Sequence, residues 1–299
     1  MEANRSITLV EVGPRDGFQN IRDFIPTEIK LTIIRKLLDA GVSSMQLTSF
    51  VSPKAVPQMA DAKVISETIL AEYPNVEFDA LVPNLYGAKA AAACGYKKIT
   101  NVISVSESHN LKNINRTHEQ SLQELEKILQ EVPDIEVTVG LSTSFGCPFE
   151  GETPIEKLRA FIEKIYNIGI RRIELGDTIG VAYPVQVEKI MQLLNKTYKD
   201  VEFGVHIHDT RNMGIVSTWV AIQNGVSFVH STVGGLGGCP FAPGASGNTC
   251  TEDLVYMLDR CGVRTGISFE KMMEASRYTK SVINGNYSGH HINIQQCSA

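Results

Sequence analysis

The 299-residue chain lacks the features that mark several classes of protein. It has no cluster of lysine and arginine, and 28 basic residues are outnumbered by 33 acidic ones, for a formal net charge of −5. Proteins whose main partner is nucleic acid usually carry a basic surface, so that class is disfavoured. No apolar run reaches the roughly 18 residues that a membrane helix needs. We therefore expect neither nucleic acid nor a membrane as partner.

Paired cysteine motifs are also missing. The six cysteines are irregularly spaced, and none forms a CxxC pair. The N-terminal stretch MEANRSITLVEV shows no signal-peptide core and enters a strand pattern directly. In a chain of this size these features indicate reduced thiols in a cytoplasmic protein rather than a disulfide framework.

What the chain does contain is a regular alternation of short apolar runs and helical patterns. Eight strand patterns, the first at 7–12 and the last at 226–233, are each followed by a helical pattern, the last at 251–261. Such alternation predicts an α/β fold with a parallel sheet and crossover helices. Eight units favour a closed (β/α)8 TIM barrel over an open sheet. We expect a single domain, 1–299, in which 268–299 form a short C-terminal helical extension.

Catalytic groups of such a barrel lie at the C-terminal ends of its strands. The sequence HIHD ends the seventh strand pattern. Because side chains alternate across a strand, His206 and His208 share one face, while the apolar Val205 and Ile207 suit the opposite, helix-facing layer. Two inward imidazoles at a strand end favour a metal site over a pair of hydrogen-bonded core histidines.

Arg15 and Asp16 follow the first strand, which adjoins the eighth in a closed barrel. Asp16 is therefore expected to bring a carboxylate to the same ion; a structural Arg15–Asp16 ion pair is the alternative. One carboxylate and two imidazoles suit Mg²⁺ or Mn²⁺, with Zn²⁺ as a further option, acting as a Lewis acid. Arg15 keeps its charge and is the expected donor to an oxyanion.

The glycine-rich stretch GGLGGCPFAPGASGN occupies 234–248. It lacks the Lys-Ser/Thr end of a phosphate-binding P-loop, which favours a mobile lid over a phosphate cradle. The string GCPF also occurs at Cys147, but without a glycine-rich run after it. Cys239 is therefore the better candidate for a mobile proton donor, since a free thiol with a pKa of about 8.5 is mostly protonated at neutral pH.

Nine strings spread in order along almost the whole chain resemble the 3-hydroxy-3-methylglutaryl-CoA (HMG-CoA) lyase family. They are EVGPRDGFQN, TSFVSPK, VPN, KNIN, FGCPFEG, LGDTIG, HIHDT, GGLGGCPFAPGASGN and TEDLVYML. The resemblance implies a metal-dependent barrel that cleaves a hydroxyacyl-CoA to acetoacetate and acetyl-CoA by a retro-Claisen reaction, as in leucine degradation and ketone-body formation. We expect an acyl-CoA substrate and a homodimer.

Carried over position by position, the resemblance also implies roles for single residues. The expected ligands of one divalent cation are Asp16, His206, His208 and Asn248. The expected catalytic groups are Arg15 at the thioester oxygen, Asp177 as an active-site carboxylate and Cys239 as the mobile acid. The expected substrate contacts are Arg15, Gln19, Gln46 and Thr178. The base that takes the hydroxyl proton stays open between Asp16, a histidine and a water on the cation.

Two positions depart from the family pattern. Gln46 stands where the family typically has glutamate, which keeps the hydrogen-bonding shape but loses the charge. Asn212 stands where the family usually has glycine after HDT, and asparagine tolerates a left-handed backbone better than most residues. Three alternatives stay open. Gln46 supports another branched 3-hydroxyacyl-CoA as substrate or a catalytically weak barrel with a binding role, and likeness to related acyl-CoA synthases supports a condensing reaction.

Overall fold

The chain folds into a closed barrel of eight parallel strands in the computed structural model, which describes residues 6–238 and 247–294. In chain order, β1 to β8 are Thr8–Glu11, Ser44–Ser49, Glu77–Val82, Lys98–Ser104, Glu136–Ser142, Arg172–Asp177, Glu202–Ile207 and Phe228–Ser231. Each strand pairs in parallel with the next along the chain, and β8 closes the barrel against β1. The predicted TIM-barrel fold is confirmed.

Helices connect successive strands on the outside of the barrel. In chain order, α1 to α10 are Thr27–Asp39, Ala62–Glu72, Leu85–Ala93, Glu107–Ile114, His118–Glu131, Ile155–Ile168, Pro184–Thr197, Gly214–Gln223, Thr251–Arg260 and Phe269–Val282. The layer between strands and helices is apolar, and Val205 and Ile207 of β7 are buried in it. The inner face of the barrel carries polar strand residues together with a small separate apolar cluster of Val10, Val12 and Phe228.

One α-helix and one hairpin of the structure were not predicted. One is α4, whose eight residues ESHNLKNI carry too few apolar side chains to show a helical period. It is held instead by its caps: Ser106 accepts a bond from the backbone N–H of His109, and Asn115 ends the helix in a left-handed conformation. The other is a short hairpin that pairs Gly146–Cys147 with Gly151–Glu152 after β5.

The C-terminal part adds one helix to the outer ring. Helix α10 packs against α1, α9 and the turn Val233–Gly235. After it, the chain returns to α9, where the carboxylate of Asp253 accepts bonds from the backbone N–H groups of His290 and His291. Among the described residues, no helix is both long and apolar enough to cross a membrane.

Candidate active site

A single π-helical turn, Gly13–Gly17, carries Arg15 and Asp16 from the end of β1 over the mouth of the barrel. The turn is closed by the Val12 carbonyl, which accepts the backbone N–H groups of Arg15 and Asp16 at 3.1 and 2.7 Å. Beneath it, Oε1 of Glu11 accepts the backbone N–H groups of Gly13 and Val233 at 2.8 and 2.9 Å. One buried carboxylate therefore joins the loops that follow β1 and β8.

His206 of β7 and His208, which directly follows that strand, point into the barrel, as the strand alternation predicts. Their Nε2 atoms lie 3.1 Å apart, and Nε2 of His206 lies 3.9 Å from Oδ2 of Asp16. One potential ligand atom from each of Asp16, His206 and His208 lies within 4.8 Å of the others, and all three residues are buried. The structure thus brings together the three residues that spacing alone suggested for a metal site.

Asn248 reaches the same point because the chain returns beside the end of β7. The backbone N–H of Asp209 donates to Gly247, and that of Thr249 donates to Ile207. A Cβ at position 247 would lie 1.9 Å from the Gly235 carbonyl oxygen, so only glycine permits this approach. Asn248 then places its side chain against Asp16, donating from Nδ2 to Oδ2 at 2.6 Å.

These four residues, Asp16, His206, His208 and Asn248, are called the metal-ligand group below. Two of their buried polar atoms, Nδ1 of His208 and Oδ1 of Asn248, have no hydrogen-bond partner. Buried polar atoms are normally satisfied, so the unsatisfied Oδ1 of Asn248 beside a carboxylate and two imidazoles fits a role in binding a cation. The oxygen and nitrogen donors suit Mg²⁺, Mn²⁺ or Zn²⁺.

Charge at the site also fits cation binding. Burial lowers the pKa of His206 to about 3, with Asp16 acting in the opposite direction, so the ring is neutral near pH 7. Burial opposes ionisation of Asp16, but Arg15, the two histidines and the bond from Asn248 outweigh it and lower the pKa of that carboxyl. A neutral imidazole and an ionised carboxylate are the forms that ligate a metal.

A second polar group extends from Arg15 toward β2, β3 and β4. Arg15 donates from Nη1 to Asp16 and from Nε to Oε1 of Gln46. Gln46 in turn donates from Nε2 to Oδ2 of Asp79 at 2.8 Å, and the hydroxyl of Thr100 donates to the same oxygen. Arg15, Gln46, Asp79 and Thr100 are called the Gln46 network below. Gln46 thus accepts a hydrogen bond from the guanidinium of Arg15 and donates one to the carboxylate of Asp79. A glutamate could make both bonds only if its carboxyl group were protonated.

Comparison with known proteins agrees with this geometry. Residues 6–279 match the family described as HMGL-like. The mitochondrial hydroxymethylglutaryl-CoA lyase of Homo sapiens is 40% identical over 282 residues, which cover 94% of this chain and 86% of the human protein. Hydroxymethylglutaryl-CoA lyase YngG of Bacillus subtilis is 40% identical over 276 residues, 92% of each chain.

Solved structures give the same answer. The crystal structure of the Bacillus subtilis HMG-CoA lyase matches with a TM-score of 0.91 at 37% identity, covering 96% of this chain and 97% of that one. An HMG-CoA lyase from Acinetobacter baumannii, in complex with coenzyme A and 3-methylmalate, matches with a TM-score of 0.89 at 33% identity over 98% of each chain. The chain belongs to the HMGL-like family. The resemblance inferred from the nine strings is thereby confirmed.

The remaining residues predicted from the HMGL-like pattern take different positions. Gln19 donates from Nε2 to Oδ1 of Asp16 at 2.7 Å and so steadies that carboxylate. Asp177 is buried near His208, but its two oxygens accept the backbone N–H groups of Val181 and Ala182, which ties it to the turn after β6. Thr178 is half-buried and accepts the backbone N–H of Thr143. Cys239 lies outside the described residues.

Asn212, the other departure from the HMGL-like pattern, behaves as its chemistry predicts. Its φ is +55°, in the left-handed region where the family usually has glycine. Its backbone N–H donates to the Asp209 carbonyl at 3.1 Å, which closes the turn after β7. The turn after the HIHDT strand is therefore kept with asparagine.

Sequence reasoning missed three inward residues: Asp79, which is half-buried, and Glu174 and His230, which are buried. Burial raises the pKa of Glu174 to about 8, against the opposing charge of Arg15. Nδ1 of His230 lies 3.5 Å from Oε2 of Glu174 and 3.3 Å from Nδ1 of His206. Each of the three could have been found as a single polar residue at an inward-facing position of an otherwise apolar strand pattern.

Proposed function

We propose that the protein cleaves HMG-CoA to acetoacetate and acetyl-CoA in a reaction that depends on a divalent cation. The observation that carries the proposal is the metal-ligand group, assembled from three separate segments at the C-terminal end of a barrel of the HMGL-like family. The coenzyme A bound to the Acinetobacter baumannii relative supports an acyl-CoA as substrate. Mg²⁺ and Mn²⁺ are the proposed cations, with Zn²⁺ as the alternative.

Asp16, His206, His208 and Asn248 would hold the cation. When bound, it would supply Lewis-acid polarisation of the oxygens on the hydroxy-bearing carbon of the substrate. Gln19 holds Asp16 from one side and Asn248 holds it from the other, so the carboxylate is fixed before an ion arrives. Such fixed orientation of the ligands is what distinguishes a metal site from a chance cluster of donors.

The reaction begins when the tertiary hydroxyl of the substrate loses its proton to a base of the site. The alkoxide electrons then form the ketone of acetoacetate as the neighbouring C–C bond breaks, and the bond pair moves into the thioester as an enolate. Arg15 is the donor proposed for the enolate oxygen, because a buried guanidinium placed before the charge develops stabilises that charge. A proton delivered to the enolate carbon completes acetyl-CoA.

The thiol of Cys239 is proposed to deliver that proton. The homologous string at Cys147 has a different environment: Sγ of Cys147 is buried, lies 3.0 Å from the hydroxyl oxygen of Ser106 and accepts the backbone N–H of Phe149. Cys147 is therefore held by the hairpin after β5. We expect Cys239→Ala to lower kcat about 100-fold or more, and Cys147→Ala to leave it nearly unchanged. Equal losses in the two variants would refute the acid assignment.

The reaction itself is tested on the purified full chain. Acetoacetate formation from HMG-CoA is measured before chelation, after exhaustive chelation and after adding back Mg²⁺, Mn²⁺ or Zn²⁺. We expect activity to vanish on chelation and to return with Mg²⁺ or Mn²⁺. Full activity in the chelated enzyme would refute the metal role, and absence of acetoacetate in every arm would refute the substrate.

Gln46 bears on the choice of substrate. Both polar ends of its amide are engaged by Arg15 and Asp79, so in this arrangement it acts on the substrate through Arg15. A panel of branched 3-hydroxyacyl-CoA thioesters compared with HMG-CoA by kcat/KM tests the alternative of another substrate. We further propose a homodimer and a cytoplasmic location. The free thiols of Cys94, Cys147, Cys250 and Cys261 fit a reducing compartment.

A further inference from the structure

We propose that His230 is a positioning residue that accepts the Nδ1–H of His206 and thereby keeps the Nε2 lone pair of His206 free for a cation. The inference rests on the proposed metal site, and it concerns a residue that neither the motifs nor the metal-ligand group includes. It is carried by the distance of 3.3 Å between the two Nδ1 atoms inside the barrel.

The position of one proton decides whether His206 can bind a metal. A neutral imidazole carries its hydrogen on Nδ1 or on Nε2, and the nitrogen that carries it has no lone pair to offer. Two ring nitrogens 3.3 Å apart share one hydrogen. If both nitrogens carried a hydrogen, the two hydrogens would collide, and if neither did, two lone pairs would face and repel each other. If His206 holds that hydrogen, its Nε2 is free. If His230 holds it, Nε2 of His206 is protonated and closed to a metal.

The backbone fixes the two rings relative to each other. His206 on β7 and His230 on β8 are direct partners in the parallel register, so their side chains leave adjacent strands at the same level. Both residues are buried, and their ring centroids lie 5.4 Å apart at an angle of 77°. The opposite edge of the His206 ring faces His208, with 3.1 Å between the Nε2 atoms. A hydrogen bond at Nδ1 therefore aims Nε2 at the metal-ligand group.

Glu174 on β6 is the other group that faces His230. Its Oε2 lies 3.5 Å from the same Nδ1, farther than Nδ1 of His206 at 3.3 Å, so the shorter contact of Nδ1 of His230 is the one with His206. Glu174, His206 and His230 also offer ligand atoms within 4.8 Å of one another, which raises a second cation as the competing explanation. The positive charge of Arg172 acts on His230 and opposes a second cation there. We therefore favour the hydrogen bond.

The first test measures Mn²⁺ binding to the chelated full chain by electron paramagnetic resonance. His230→Leu removes the acceptor, whereas His230→Asn keeps an amide oxygen near the position of Nδ1. Loss of a group that orients a ligating histidine typically weakens metal binding about 10- to 100-fold, which is the loss expected for His230→Leu. For His230→Asn we expect wild-type affinity to within about a factor of three, because its oxygen accepts the same bond. His109→Leu, which removes another buried histidine, is the control expected to bind Mn²⁺ like the wild type.

Equal affinities of the Leu and Asn variants, whether both normal or both weak, would overturn the proposal. So would two Mn²⁺ ions per wild-type chain falling to one in either variant, because that result assigns Glu174 and His230 to a second cation site. Circular dichroism and thermal unfolding of each variant show whether it is folded, and the Asn variant keeps the test valid if the Leu variant is not.

A second measurement does not depend on the metal. Long-range ¹H–¹⁵N spectra of histidine-labelled, metal-free protein give the tautomer of each ring. We expect His206 to carry its hydrogen on Nδ1 in the wild type and in His230→Asn, and to shift toward Nε2 in His230→Leu. The same His206 tautomer in all three proteins would refute the inference. Failure of the wild type to bind Mn²⁺, with the expected tautomers present, would instead refute the proposed metal site and leave the hydrogen bond standing.

Discussion

On the side of Arg15 that faces β7 and β8, the metal-ligand group leaves Nδ1 of His208 and Oδ1 of Asn248 buried without a hydrogen-bond partner. On the side that faces β2, β3 and β4, the Gln46 network joins a guanidinium, an amide, a carboxylate and a hydroxyl in one chain of bonds. Among the described residues, no side-chain polar atom of that network is buried without a partner. Two regions at the same end of the barrel thus differ in whether their buried polar atoms have hydrogen-bond partners.

The contrast separates the residues proposed to bind the cation from the residues that hold the site in place. A buried polar atom without a hydrogen-bond partner lowers the stability of the folded protein by about 1–3 kcal/mol. Such atoms are kept mainly where a ligand binds. A satisfied network costs little and fixes the geometry of its members. Arg15 belongs to both regions, because one of its nitrogens contacts Asp16 and another contacts Gln46. The Gln46 network therefore fixes the position of the Arg15 charge.

The largest effect is expected from His208→Leu on the unsatisfied side. Loss of a ligand should remove several kcal/mol of transition-state stabilisation, which lowers kcat about 1,000-fold. Without metal, the free energy of unfolding should change little, because the buried Nδ1 that has no partner and the contact of Nε2 with His206 are removed together. Steady-state kinetics and urea unfolding in chelator check both values.

Thr100→Val is the matched control on the satisfied side. It removes a hydroxyl from Asp79 without changing size, so unfolding should become easier by about 1–2 kcal/mol while kcat changes little. The contrast between the two regions would be wrong if the chelated His208→Leu protein were destabilised as much as Thr100→Val.

Gln46→Glu, which restores the carboxylate typical of the family, should be destabilising here. The new carboxylate would meet that of Asp79 in a buried position, where two ionised carboxylates repel each other. We expect a loss of about 3 kcal/mol in the free energy of unfolding at pH 8. Adding Asp79→Asn reverses the direction of the amide–carboxylate bond and should recover most of that loss. Urea unfolding of the four proteins in the double-mutant cycle measures the coupling, and additive losses would contradict a direct bond.

Arg15→Lys tests the residue that connects the two regions. A lysine ammonium is a point charge and cannot contact Asp16 and Gln46 with the two fixed nitrogens that arginine offers. We expect kcat to fall about 100-fold while the affinity for Mn²⁺, measured separately, falls by less than about tenfold. A loss confined to Mn²⁺ affinity would show that Arg15 serves Asp16 rather than the enolate.

The fold was predictable because its signal is local and repeated. Each strand pattern carries its own apolar period, and eight of them in alternation with helices leave few architectures. Helix α4 escaped prediction since its polar sequence has no apolar period and depends on caps. His206 and His208 were predictable for the same local reason, because two residues on one strand share a face whatever the rest of the chain does.

The partners of these residues were not predictable, because they depend on register between strands. That Gln46 meets Asp79 follows from the alignment of β2 with β3, and that His206 meets His230 follows from the alignment of β7 with β8. Asn248 came only from the family pattern, since its place beside His208 depends on the chain returning past Gly247. Sequence therefore predicted that His206 and His208 lie inward beside Asp16, but not that Gln46 meets Asp79 or that His206 meets His230.

Glu11 lies beneath the metal-ligand group, but its carboxylate is hydrogen-bonded like the members of the Gln46 network. Its substitution is expected to have the smallest effect on the protein. Its Oε1 accepts two backbone N–H groups and its Oε2 accepts the hydroxyl of Thr251. Burial nevertheless raises the pKa of Glu11 to about 7. A carboxyl whose pKa is raised on folding stabilises the folded state below its unfolded pKa, and this stabilisation is lost as pH rises through the folded value.

Glu11→Gln should therefore remove that pH dependence. Its amide oxygen can accept the same two N–H groups, and its NH₂ can donate to Thr251, whose hydroxyl then donates to Ser231 at 2.8 Å. From pH 5 to pH 8 the variant should gain about 2.5 kcal/mol in free energy of unfolding relative to the wild type. Urea unfolding of chelated protein across that range measures the difference, with the exposed Glu126→Gln as a control expected to follow the wild type. Parallel profiles for Glu11→Gln and the wild type would mean that Glu11 stays ionised beneath the site, and that its three hydrogen bonds outweigh its burial.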